Sequence, residues 1–75
     1  MPPIILPGSV SLNAEHVGAQ QLQAYAEHLG LSRVQVFWAT LAGGKQTYLV
    51  LEWPHPVFEN SNSHCVQAYL DTLCP

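Results

Sequence analysis

Residues 32–53, from Ser32 to Trp53, read SRVQVFWATLAGGKQTYLVLEW. Ser32 to Leu41 and Gln46 to Trp53 are rich in the β-branched and aromatic residues that suit strands. Between them lies Ala42-Gly43-Gly44-Lys45, and glycine supplies the positive φ that hairpin turns require. The pattern predicts an antiparallel hairpin. With Gly43-Gly44 as a two-residue turn, Val34 faces Trp53, Val36 faces Leu51, Trp38 faces Leu49 and Thr40 faces Thr47. Side chains alternate between faces along a strand, so all eight share one face, which is almost wholly apolar. The other face then holds Arg33, Gln35, Phe37, Ala39 and Leu41 against Glu52, Val50, Tyr48 and Gln46. A slip of one residue would mix the two sets.

Helices are expected on both sides of this hairpin. Upstream, Asn13 suits an N-cap, Glu15 falls in the first turn, and Leu12 and Val17 have the spacing of a hydrophobic staple. Leu22, Tyr25, Ala26 and Leu29 recur at i, i+3, i+4, i+7, with Gln20, Gln23 and Glu27 on the opposite side. Gly30 stops the helix, with Leu31 placed for the accompanying apolar contact. Gly18 near the start costs about 1 kcal/mol relative to alanine and points to close packing. Downstream, Trp53-Pro54-His55-Pro56 is expected to leave the sheet, because proline cannot continue a central ladder. Residues 57–61 then form a loop. A second helix begins at Asn62 or Ser63, carries the stripe Val66, Tyr69, Leu70, Leu73, and sets Asp71 against its own dipole.

The first twelve residues are proline-rich and apolar. Ile4-Ile5-Leu6 and Ser9-Val10-Ser11-Leu12 flank a Pro7-Gly8 turn signal, and either piece suits a short edge strand. No repeat or linker interrupts the chain. Residues 1–75 are thus expected to form one α+β domain of order (β)-α-β-β-α. It is a two-layer sandwich, its antiparallel hairpin sheet packed by two helices on the Trp38/Leu49/Leu51/Trp53 face.

Composition narrows the function. The chain has 75 residues, two basic and five acidic, for a net charge of −3. Charged residues make up 9%, against about 25% in an average domain. Arg33 and Lys45 alone cannot neutralise the phosphates that drive nucleic-acid affinity, nor hold an anionic membrane surface. No apolar run approaches the ~20 residues of a membrane span. Met1-Pro2-Pro3-Ile4-Ile5-Leu6 lacks the positive region of a signal peptide, so a cytoplasmic protein is expected. Cys65 and Cys74 are nine positions apart on one helix, about 13 Å along its axis and on opposite faces. They are expected to stay reduced, since a disulfide needs Cα atoms within about 7 Å.

Few residues suggest chemistry. His55, His64 and Cys65, with Cys74 beyond, invite a metal or redox reading, but the close ligand pairs typical of zinc are absent. His16 and His28 sit about 18 Å apart on their helix, too far to share an ion, and are expected to be solvated. Cys65 near a helix start has the setting of a lowered thiolate pKa; a small buried hydrophobe is the simpler expectation. Glu59 and Asp71 are isolated, and no nucleophile elbow or phosphate loop is present. Neither a cofactor nor catalysis is expected.

Two features suggest binding. Trp53, Pro54, His55, Pro56 and Phe58 form a stiff, aromatic-edged candidate recognition loop, which would lose little entropy on binding. Phe37, Ala39, Leu41, Tyr48 and Val50 form an apolar patch on the second sheet face, a candidate protein interface. The alternative is that Ile4-Ile5-Leu6 folds across and covers it. The order helix, antiparallel strands, helix is loosely similar to a double-stranded-RNA-binding domain, with Leu22 to Leu31 and Val66 to Leu73 matching its two helices. That family has a third strand, which is not expected here, and a lysine cluster at the start of the second helix, where this chain has Ser61-Asn62-Ser63-His64. RNA binding is therefore not expected. The function expected is a small non-enzymatic protein–protein interaction or regulatory protein. It would act as a homodimer or as a subunit of a larger complex, through the apolar face or by strand addition at the hairpin edge. The alternative is a metal- or redox-binding protein using His55, His64 and Cys65.

Overall fold

A computed structural model describes residues 9–74. Its elements are β1 (Ser9–Asn13), α1 (Val17–His28), β2 (Val34–Leu41), β3 (Gln46–Glu52), β4 (His55–Asn60) and α2 (Ser63–Leu73), with a 3₁₀ turn at Ala42–Gly44 between β2 and β3. The four strands form one antiparallel sheet in sequence order. The α+β class is as expected; the sheet has two strands more than the hairpin alone. Ser9–Asn13 is the anticipated edge strand, and Ile4-Ile5-Leu6 lies outside the described residues.

The hairpin forms, but its register differs by one residue. Val34 pairs with Glu52, Val36 with Val50, Phe37 with Leu49, Trp38 with Tyr48 and Ala39 with Thr47. The turn is the reason. The Leu41 N–H donates to Lys45 O at 2.7 Å, so Ala42, Gly43 and Gly44 form a loop of three, with φ of 84° at Gly43 and 81° at Gly44. An odd loop moves one strand by one position against its partner and exchanges its faces. Val34, Val36 and Trp38 therefore share a face with Tyr48 and Val50, and this face meets the helices. The expected packing face Trp38/Leu49/Leu51/Trp53 is split between the two sides.

The main core lies between sheet and helices. Ala19, Leu22 and Ala26 of α1 and Val66 and Leu70 of α2 bury against Val34, Val36, Tyr48 and Val50. The predicted stripes are thus the packed ones, with Tyr25, Leu29, Tyr69 and Leu73 at their margins. Gly30 closes α1 at φ 81°; its N–H donates to Glu27 O, and the Leu31 N–H donates to Ala26 O, the two bonds of a Schellman cap. Asn62 caps α2, its Oδ1 accepting from the His64 N–H at 2.8 Å.

The start of α1 differs from expectation. Asn13 ends β1 and makes a local turn, its Oδ1 accepting the Glu15 N–H at 2.8 Å. His16 is the N-cap, its ring Nδ1 accepting from the Ala19 N–H at 3.4 Å. Leu12 packs on the second sheet face and Val17 is 68% exposed, so no staple forms.

Beyond Trp53 the chain turns through a cis Trp53–Pro54 peptide and returns as β4, where a loop is expected from sequence. Pro56 pairs opposite Leu51 at a register shift, with one extra residue, Val57, in β4. An edge strand needs ladder bonds on one side only, and there proline is tolerated. A third strand therefore does lie between α1 and α2, in addition to β1.

Candidate functional site

The candidate interface residues separate. Tyr48 and Val50 belong to the helix-side core, at 8% and 0% exposure, because of the one-residue register change. Phe37, Ala39 and Leu41 remain on the second face, where Ala39, Leu49 and Leu51 are buried and Leu12, Phe37, Leu41 and Trp53 pack half-buried around them. Ala39 is thus the floor of this cluster and makes no exposed contact. The Lys45 ammonium meets Glu59 Oε1 at 3.2 Å beside Leu41, an ion pair at the rim of the patch. No described helix or strand lies over this face.

The candidate recognition loop also divides. Pro54, His55 and Pro56 are exposed at the β3–β4 turn, while Trp53 packs on the second face. Arg33 fastens this end: its guanidinium donates to Trp53 O at 3.0 Å, and the Trp53 N–H donates to Arg33 O at 2.9 Å. Phe58 points to the helix side and stacks on Tyr69, ring centroids 4.3 Å apart. The extra residue Val57, invisible while residues 57–61 read as a loop, offsets the alternation, so that Phe58 lies opposite Val50 while Pro56 lies opposite Leu51 on the other face.

The metal alternative loses its geometry. His55 opens β4, whereas His64 and Cys65 lie in the first turn of α2, beyond the far end of that strand. Five strand steps separate the ends of β4 by roughly 17 Å. Among the described residues no three of His, Cys, Asp and Glu are grouped to hold an ion. Cys65 and Cys74 are free thiols; Cys65 is exposed, not the buried hydrophobe expected, because the inward stripe runs through Val66 and Leu70.

Sequence alone did not reveal three arrangements. The first is at the β2 edge. β1 covers β2 only from Leu41 back to Trp38, so Val34 to Phe37 have no strand on that side. The Gln23 side chain takes a strand's place: its Nε2 donates to Val34 O at 3.1 Å, and its Oε1 accepts from the Val36 N–H at 2.8 Å. A primary amide offers the donor and acceptor of a peptide unit, so Gln23 closes both backbone groups. A cavity of about 490 Å³ runs along this notch, lined by Ala14, Gln20, Gln23, Glu27, Gln35 and Phe37 among others. Gln23 at the helix margin gives no sequence signal for this, since its targets are main-chain atoms.

The second is an aromatic cluster. His16 stacks on Trp38 at 4.7 Å and 14°, and both meet the Tyr48 ring edge-on. His16, expected in solvent, is half-buried here. Gly18 gives the clue sequence offered: an added Cβ would lie 2.0 Å from Tyr48 Oη. The third is a bond between the helices. The Tyr25 hydroxyl donates to Asp71 Oδ1, which accounts for an acid placed against the α2 dipole. That hydrogen bond holds the Tyr25 pKa above the usual phenol value.

Among the described residues no helix is long and apolar enough to cross a membrane. Compared with models of protein families, with curated protein sequences and with solved structures, the chain finds no match.

Proposed function

We propose that the chain is a small non-enzymatic protein–protein interaction protein that docks a second chain on its second sheet face. The carrying observation is that this face holds an apolar cluster built on Ala39, Leu49 and Leu51 while both helices pack on the other one. A two-layer domain with one solvated sheet face alternates apolar and polar residues; here Leu12, Phe37, Leu41 and Trp53 occupy the second face. Domains of this size often need a partner to complete their burial.

The occupant is a second copy of this chain. A twofold interface must be complementary to itself, so that residue i meets j and j meets i. An apolar centre satisfies this, and so does a rim carrying both Lys45 and Glu59, which can exchange partners across the axis. A regulatory role on a larger complex would use the same face.

Light scattering after size exclusion tests the reading. Wild-type protein is expected at twice the chain mass at high concentration, and Phe37→Glu, with unchanged circular dichroism, at the monomer mass. A wild-type monomer unaffected by Phe37→Glu sinks the proposal and points to the face being covered within the chain, by Ile4-Ile5-Leu6.

A further inference from the structure

We propose that the cleft between the amino-terminal ends of α1 and α2 binds a small organic anion through its carboxylate or phosphate group. The first turns of the two helices face each other across a cavity of about 370 Å³, whose walls include Gly18, Gln21, Tyr48, Ser63, His64 and Gln67. Further along, Tyr25 of α1 meets Asp71 of α2, so the helices run in the same direction. Their dipoles therefore add at this end, each equivalent to roughly half a positive charge. Neither first turn holds an acidic residue to offset them, and no carboxylate lines the cleft.

Tyr48 points independently to a ligand. The residue is only 8% exposed, and its hydroxyl makes no hydrogen bond within the described residues. No polar side-chain atom among them is both sealed from solvent and unpartnered, so the hydroxyl opens where the ring ends, at the cleft. Its oxygen lies where a Gly18 side chain would begin, 2.0 Å from the Cβ position. The absence of a side chain there leaves the hydroxyl and the helix backbone facing the same space. An incoming oxyanion would find the Tyr48 hydroxyl and the first-turn N–H groups of Gly18 and Ser63, none of which has a partner among the described residues. The Ser63 hydroxyl, the amides of Gln21 and Gln67 and the His64 imidazole are further donors. Helix amino termini bind anions through such N–H groups, and the volume leaves room for a body larger than the anionic group.

The test is a ¹⁵N–¹H spectrum of the full chain titrated with inorganic phosphate or with benzoate, and with sodium chloride at matched ionic strength. Saturable shifts of the Gly18, Ser63 and His64 amides are expected with phosphate, benzoate or both, and not with chloride; the responding probe identifies the anionic group. Tyr48→Phe should weaken binding about tenfold, the effect of losing a hydrogen bond to a charged group. Gln67→Glu changes an exposed residue, so its fold is retained, and its carboxylate should abolish the saturable shifts. Shifts that only follow ionic strength, that saturate elsewhere in the molecule, or that survive Gln67→Glu overturn the proposal.

Discussion

Replacing Gly18 by alanine in an ordinary helix would gain about 1 kcal/mol of stability. Here the sign should reverse. The added Cβ would lie 2.0 Å from Tyr48 Oη, 3.0 Å from Cζ and 3.2 Å from His16 Cε1. The hydroxyl ends a rigid ring, and that ring is buried with Trp38 and His16 against it at centroid distances of 4.7 and 5.7 Å. Tyr48 can yield only by moving the cluster, and overpacking of a filled core costs about 1–3 kcal/mol. A Cβ only 2.0 Å from Oη puts the clash in the upper part of that range, so after the propensity gain Gly18→Ala should destabilise by about 1–2 kcal/mol and lower Tm by roughly 5–15 °C for a domain of this size. Tyr48→Phe removes the offending oxygen and breaks no hydrogen bond to a described residue. The nearest remaining atom, Cζ at 3.0 Å, is close but tolerable after a shift of a few tenths of an ångström. The double variant should therefore be more stable than Gly18→Ala alone, with a coupling of about 1 kcal/mol. Urea denaturation of the four proteins, with midpoints compared at constant m, measures it. A Gly18→Ala protein as stable as wild type, or a coupling near zero, would refute the close approach of helix and ring.

Gln23→Ala should cost about 1–2 kcal/mol, because Val34 O and Val36 N–H lose the amide that pairs them; hydrogen exchange should show the Val36 amide losing protection while Val50, in the sheet interior, keeps it. The phenol of Tyr25, held protonated by its hydrogen bond to Asp71, should titrate above the ordinary phenol range, and Asp71→Asn should bring it down, as read by phenolate absorbance. The raised folded pKa means that this contribution to stability is fully present below the unfolded pKa and is lost as pH rises through the folded one, so Asp71→Asn should flatten the alkaline fall in stability. Asn62→Ala removes the oxygen that accepts the His64 N–H and should cost about 1 kcal/mol by thermal denaturation.

Both helices were legible because their signals are local. A stripe such as Val66, Tyr69, Leu70, Leu73 has one solution on a helix, and Gly30 and Asn62 act on backbone groups only a few residues away. Gly18 was legible as a close approach, although the partner, Tyr48, lies 30 positions further along the chain. The strand β4 was hidden by Pro54 and Pro56, which argue against a central strand but leave an edge strand open. His16 displaced Asn13 as the cap because Asn13 is held in β1 opposite Trp38, a contact between residues 25 apart in sequence. The candidate interface was half legible: Phe37, Ala39 and Leu41 share a face, while Tyr48 and Val50 moved with the register of β3.

That register is the deepest ambiguity in the chain, and its cause bears on function. Period-two patterning fixes pairing when one face is apolar and the other polar, since a slip then drives the core into water. In β2 and β3 the alternation is weak: Val36 and Phe37 are adjacent, as are Leu49, Val50 and Leu51, so either register buries a comparable set. The choice falls to features outside the pattern, namely the three-residue glycine turn, the fit of Tyr48 against Gly18, and the Gln23 amide that matches Val34 and Val36. A polar second face would have made the register readable, and it would also have left nothing to dock. The apolar residues that make β3 ambiguous are those that give the sheet two packing faces, and the two helices serve only one of them. With 9% charged residues in the whole chain, and with Arg33, Lys45, Glu59 and Asp71 already engaged within it, little charge remains to oppose a second copy approaching the other face.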